Sequence, residues 1–245
     1  MSIERSELIG QPSPLRAVYP WLMVVLGAVA MVATLPGRTH GLGMVTERLL
    51  VDGQIWGEDL TPVKQPVAAD RDSKTLTPEE TQAEEERNQK IASRRVVFGE
   101  INLWATLVGA LFCIGCGRLI DRFGSRIVLP AVLASLGFVV LAMPHLTGLP
   151  ALVVAITLTR GFGQSALSVA SLTLVGKWFS SRIGQAMAVY SVLVGLGFMA
   201  AFWGARPLRD ADWTVLWSAM GYTLLGLALV YLVVVRNDRR SIGLA

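Results

Sequence analysis

From Ile127 to Thr159 the chain carries no lysine, arginine, aspartate or glutamate. A stretch that long and that apolar leaves few folds open. It exceeds the roughly 20 residues that cross a hydrocarbon core of about 30 Å, and Pro144-His145-Leu146-Thr147-Gly148-Leu149-Pro150 divides it at a turn. It therefore reads as two bilayer crossings in succession. Just before it stands Gly117-Arg118-Leu119-Ile120-Asp121-Arg122-Phe123-Gly124-Ser125-Arg126, and before that Ile101–Cys116 is again free of charge. A charged turn between two such runs cannot lie in hydrocarbon, so it marks a membrane face. Its arginines argue for the cytoplasmic face, where short loops carry excess Lys and Arg.

Extended along the chain, the same reading gives six spans, at residues 17–37, 98–117, 127–143, 151–175, 183–205 and 213–235. The expected fold class is an all-α membrane protein with six transmembrane helices. Only 16% of residues are charged and 53% are hydrophobic, against about 25% charged in a soluble domain. The first run could instead be a secretory signal peptide. It is longer than the usual apolar region of one, no clear Ala-x-Ala site follows, and more spans come later. With six spans both termini share a side. The short segments there hold Arg5, Arg16, Arg118, Arg122, Arg126, Lys177, Arg182, Arg236, Arg239 and Arg240. The short loops opposite hold Arg206 and Arg209, offset by Asp210 and Asp212. The expected topology has both termini cytoplasmic, in the plasma (inner) membrane of a bacterium. Trp21, Trp104, Trp178, Trp203, Trp213 and Trp217 mostly fall near span ends, as interfacial aromatics do.

Between the first two spans lies a polar stretch. Residues 44–97 read as an extracytoplasmic insertion, with Asp70–Arg95 rich in Glu, Asp, Gln, Lys and Arg. Thr77-Pro78-Glu79-Glu80 has the form of a helix start, with Thr77 as cap. A solvated helix and a partly disordered insertion are equally open readings.

Several of these residues carry a resemblance. The pattern Gly117, Asp121, Arg122, Gly124, Arg126 between a second and third span resembles the signature loop of the major facilitator superfamily of secondary transporters. Ser125 stands where the family usually has a basic residue. Arg160-Gly161-Phe162-Gly163-Gln164 is similar to the family's fourth-span pattern. Lys177-Trp178-Phe179-Ser180-Ser181-Arg182-Ile183-Gly184-Gln185-Ala186 resembles the loop into the fifth span of monocarboxylate- and nitrate-type members. Gly195-Leu196-Gly197 sits where the family has a glycine-rich fifth helix, although the usual proline and full glycine spacing are missing. Such proteins have twelve spans, so the resemblance implies an amino-terminal six-helix half that works with a carboxy-terminal half or a second chain. It also implies alternating-access transport of a small solute rather than an enzyme. Gly117, Asp121, Arg122, Gly124 and Arg126 would then form a conformational latch; their alternative role is loop solvation and topology.

Arg160 is the sharpest candidate for substrate contact. It lies about 15 Å along a helix from Pro150, near mid-membrane, where a charge costs on the order of 3 kcal/mol or more. It must face a wet cavity or a partner, and the other spans offer almost no carboxylate. An anion anchor is the functional reading; a structural ion pair is the other. Arg38, Thr39 and His40 follow Pro36-Gly37. They line the outer half of a cavity if the first helix kinks and continues, or cap it at the interface if it ends there. Asn102 and Gln164 could donate hydrogen bonds to a ligand, or serve helix packing. Ser191 and Gly195, four apart, suggest a close helix contact.

Other chemistry is thinly supported. Cys113 and Cys116 form a single pair with no second pair to relay electrons, so small packing residues are favoured over a membrane thiol oxidoreductase. Two cysteines and two histidines do not make a four-Cys zinc site or a histidine-rich metal site, and no cofactor is expected. A net charge of +4 without a basic stripe or motif gives no case for nucleic acid. The expected partners are a small-molecule solute, probed first as an organic or inorganic anion, and the lipid bilayer. The alternative function is that of a truncated or half-size membrane protein serving as an assembly partner without transport.

Overall fold

The computed structural model describes residues 14–61, 78–179, 182–209 and 212–236. Expectations for Arg5, Thr77, Ser180, Ser181, Asp210, Arg239 and Arg240 lie outside them. Among the described residues there are helices and no strand. They run as α1 Pro14–Val32, a 3₁₀ turn Leu35–Gly37, α2 Thr39–Gly43, α3 Thr46–Val51, α4 Gly53–Trp56, α5 Pro78–Phe123, α6 Ser125–Ala142, α7 Leu149–Thr159, a π-helical segment Arg160–Leu167, α8 Ser168–Trp178, α9 Ile183–Arg209 and α10 Trp213–Val234.

Five helices are long and apolar enough to cross a membrane: Pro78–Phe123, Ser125–His145, Leu149–Trp178, Ile183–Leu208 and Trp213–Val234. The first apolar helix, Val18–Val32, is shorter than these. α1 stops at Val32 and the chain tightens into the 3₁₀ turn, where Pro36 lacks the N–H that a continuing helix would use.

The charged stretch before Ile127 is not a ten-residue turn. α5 stays helical through Phe123, and Gly124 alone makes the break, at φ 79° and ψ 162°. Only glycine adopts that conformation readily, so one residue suffices to reverse the chain. Gly148, at φ 81°, does the same before α7.

α5 has 46 residues, about 69 Å at 1.5 Å per residue, more than twice the thickness of a hydrocarbon core. The expected span at 98–117 is only its middle. Its N-terminal part, residues 78–97, continues from the apolar part as a polar rod, and the short helices α3 and α4 pack at its side. Arg94, 8% exposed, fastens them: its Nη1 donates to Leu50 O at 2.9 Å and its Nη2 to Glu58 O at 3.0 Å. Its guanidinium also lies 5.3 Å from the Trp56 ring centroid. Lys90 Nζ meets Glu58 Oε1 at 2.7 Å, and Arg95 grips the Glu47 carboxylate at 2.8 and 2.9 Å. Beneath this polar layer Leu42, Val45, Leu49 and Leu50 are buried. The segment 44–61 is therefore an ordered, hydrophobically seated cap.

Among the apolar helices, α1 packs on α8 and α9, and α10 packs mainly on α6. Small residues set the α6–α10 approach: a methyl group at Gly137 would lie 3.3 Å from Gly221 O. α10 is tied to α1 near the chain termini by two phenols. Tyr19 donates to Val234 O at 2.6 Å, and Tyr231 donates to Leu26 O. Toward the other end α10 diverges from α1 and α9, opening an apolar groove of about 320 Å³ lined by Val29, Val32, Gly204, Leu216 and Met220.

Two expectations about packing change. Trp178 and Trp217 are fully buried with unpartnered indole N–H groups, not interfacial. Trp178 packs against Tyr19, with ring centroids 5.1 Å apart. Gly195 meets open space, and Ser191 is exposed with its hydroxyl turned back to Met187 O. The pair makes no close contact because its face of α9 points away from the other described helices. Cys116 is buried and its thiol lies 3.3 Å from Ala166 O, a packing role.

Candidate functional site

The site is built on the rod Leu149–Trp178, whose middle is the π-helical segment. Single π turns inside α-helices are frequent at functional sites. Here the widened segment is met by glycine on two sides. A methyl group at Gly37 would collide with Thr159 O, and one at Gly109 would lie 3.1 Å from Gly161 N. The backbones of the 3₁₀ turn and of α5 thus approach the π segment directly, which brings polar side chains from three elements around Arg160.

Arg160 is 4% exposed. Its Nη2 donates to Asn102 Oδ1 at 2.7 Å, and its Nη1 to Gln164 Oε1 at 2.6 Å and Thr39 Oγ1 at 3.1 Å. Its Nε is buried without a partner. All three acceptors are neutral. Among the described residues no Asp or Glu is buried, so the expected alternative of a carboxylate pair is not realised. The guanidinium charge is solvated by amide and hydroxyl dipoles while keeping donor capacity.

Arg38 is a second cation of the same kind. The chain neither continues α1 as a kinked helix nor simply caps it. After the 3₁₀ turn the Arg38 side chain folds back into the bundle. Its Nε donates to Thr34 Oγ1 at 2.6 Å, and its Nη2 lies 2.9 Å from Met31 Sδ and 3.3 Å from Ser168 Oγ. The guanidinium sits 5.4 Å from the Phe198 ring centroid. Ser168 is followed by Ser171, whose hydroxyl pairs with Tyr190 at 3.1 Å. Arg38 is therefore also held by neutral groups.

The structure thus brings Arg160, Gln164 and Asn102 together and sets Arg38 beside them through its neighbour Thr39. His40 is outside this cluster: it is exposed, with its ring edge toward Phe202 at 6.5 Å between centroids. The residues Gly117, Asp121, Arg122, Gly124 and Arg126 lie at the α5–α6 junction. Asp121 is exposed in the last turns of α5, and Arg122 stacks on Phe123 at 5.3 Å. Thr39 and Gly37, in the stretch singled out after Pro36, belong to the site; so do Ser168 and Gly109, which carry no sequence signal of their own. The spacing of 160, 164 and 168, four apart on one helix, is the one pattern that could have pointed to Ser168.

The Major Facilitator Superfamily family model matches residues 96–243 of the chain. No curated protein and no solved structure matches it.

Proposed function

The chain belongs to the major facilitator superfamily, a family of membrane transporters, and on that premise we propose that it moves a small organic or inorganic anion by alternating access. The observation that carries the anion reading is the environment of Arg160. A guanidinium that cannot lose its proton lies buried among apolar helices with only neutral oxygens as partners. A buried cation in a membrane protein is costly unless it faces a water-filled path or a partner of opposite charge. A π segment within an α-helix is frequent at functional sites, and Arg160 opens the segment Arg160–Leu167.

In this reading Arg160 is the anion anchor, Asn102 and Gln164 orient it and reach the ligand, and Arg38 completes the lining. The stretch 177–186 resembles the loop into the fifth span of monocarboxylate- and nitrate-type members, which is in keeping with an anionic solute. The six helices serve as the amino-terminal half, with α1 as the first span and residues 44–97 as its extracytoplasmic insertion. A second six-helix half closes the cavity. Gly117, Asp121, Arg122, Gly124 and Arg126 dock on that half in one state of the cycle, which gives the exposed Asp121 its role. Both termini are cytoplasmic, and the membrane is a bacterial inner membrane.

The test is binding of radiolabelled small anions to the full chain in lipid nanodiscs, against neutral and cationic solutes of the same size. Anions bind and the others do not. If Arg160→Ala binds anions as the parent does, the anchor role falls.

A further inference from the structure

The two arginines say more than that the solute is negative. Resting on the anion reading above, we propose that the site takes a dianion, two carboxylates joined by a short carbon spacer, with one carboxylate on Arg160 and the other on Arg38.

Charge is the first reason. Both guanidiniums are permanent cations, both are held by neutral groups, and among the described residues no carboxylate is buried beside them. Arg160 is buried and Arg38 half-buried; a monoanion bound to one leaves the other without a counter-ion, at a cost that rises with burial. A dianion neutralises both.

Placement is the second. Arg160 engages Gln164, and Arg38 engages Ser168, on successive turns of one rod. The engaged residues Gln164 and Ser168 lie four apart, about 6 Å along the rod, a separation on the scale of two carboxylates joined by a chain of a few carbons. Thr39 and Arg38 are neighbours in sequence, and Thr39 already touches Arg160, so one short helix start serves both ends of the ligand.

The partners of Arg38 are the third. One of its contacts is the thioether of Met31 and another is a 3.3 Å contact to Ser168. A thioether is a weak acceptor, so a carboxylate replaces it readily. The Phe198 ring beside Arg38 offers an apolar wall to the carbon spacer.

The experiment compares succinate with butyrate, an acid of the same carbon count and one charge fewer at neutral pH, binding to the full chain in nanodiscs. Succinate binds about tenfold tighter or more. Arg38→Gln brings the two within about twofold of each other, and Arg38→Lys, which keeps the charge without the fork, recovers part of the preference. Equal binding of the two acids by the parent chain, or a preference untouched by Arg38→Gln, overturns the dianion and leaves the anion reading standing. Binding of neither acid, nor of inorganic anions, overturns both.

Discussion

Arg160 on the π segment donates to Asn102 on α5, Nη2 to Oδ1 at 2.7 Å, although 58 residues separate them in the chain. The bond is a cation solvated by an amide. That makes the pair a switch between two chemistries. Asn102→Asp places a carboxylate on the same atoms and converts the contact into an ion pair. The existing bond is already charge-assisted through the guanidinium. The variant adds Coulomb attraction between two full opposite charges, which outweighs the lost Nδ2 donation to Phe98 O, so it unfolds at a higher temperature than the parent in the same detergent. It also neutralises the anchor, and anion binding in nanodiscs drops by about tenfold or more. A variant that is more stable and binds anions as before would contradict the assigned role of Arg160.

Backbone contact at glycine holds the site's geometry. Gly37→Ala drives a methyl group into Thr159 O and toward Gly163, and Gly109→Ala presses on Gly161 and Arg160. Overpacking of this kind costs about 1–3 kcal/mol, and both variants lose thermal stability and anion binding together. Gly115→Ala and Gly117→Ala serve as controls on the same helix. No atom stands within 4 Å of the added carbon at either, so neither destabilises the fold.

Much of this arrangement is readable in the sequence, for a physical reason. Crossing a bilayer demands about 20 apolar residues, so the runs ending at Ala205 and Val235 declare themselves, and so does the break at Gly148. Arg160 stands out because a charge in such a run is rare. The width of the Gly117–Arg126 turn does not show. Helix polarity is indifferent to whether a charged segment is wound or looped, and only the backbone reveals that Gly124 alone turns the chain. Ser168 is equally silent, since a hydroxyl in an apolar run can bond its own helix instead of an arginine. Trp178 and Trp217 mislead because a span end and a buried packing layer call for the same side chain.

The cap over α5 depends on Arg94. Arg94→Ala leaves Leu50 O and Glu58 O without their donor and removes the stacking on Trp56. Losing a buried charged donor costs about 1–3 kcal/mol locally. Limited proteolysis then cuts within residues 44–61 faster, while anion binding changes little because Arg94 is distant from Arg160.

Acid should loosen the same cap. The Glu58 carboxyl sits below the ordinary carboxylate range, chiefly because Lys90 donates a hydrogen bond to it. A depressed value in the folded state stabilises the cap above the ordinary range and loses that contribution as pH falls through the depressed one. Proteolysis within 44–61 therefore accelerates below about pH 4. Glu58→Gln shows less of this acid dependence, and its rate at neutral pH is closer to that of the acidified parent. Glu58 is exposed, so the effect is small and weakens further with salt.

Gly124 gives the sharpest test of the α5–α6 junction. Its φ of 79° with ψ of 162° lies in a region open essentially to glycine alone. Gly124→Ala must either hold a strained backbone, at about 1–3 kcal/mol, or let α5 run on and push α6 out of register. Either outcome lowers the unfolding temperature in detergent. Arg118→Gln and Arg122→Gln, on the exposed side of the same helix end, leave that temperature within the small range usual for surface changes. The contrast separates backbone geometry from charge at this junction. If Gly124→Ala is as stable as the parent while the charge variants unfold early, the reversal between the two helices is held by the arginines and not by glycine.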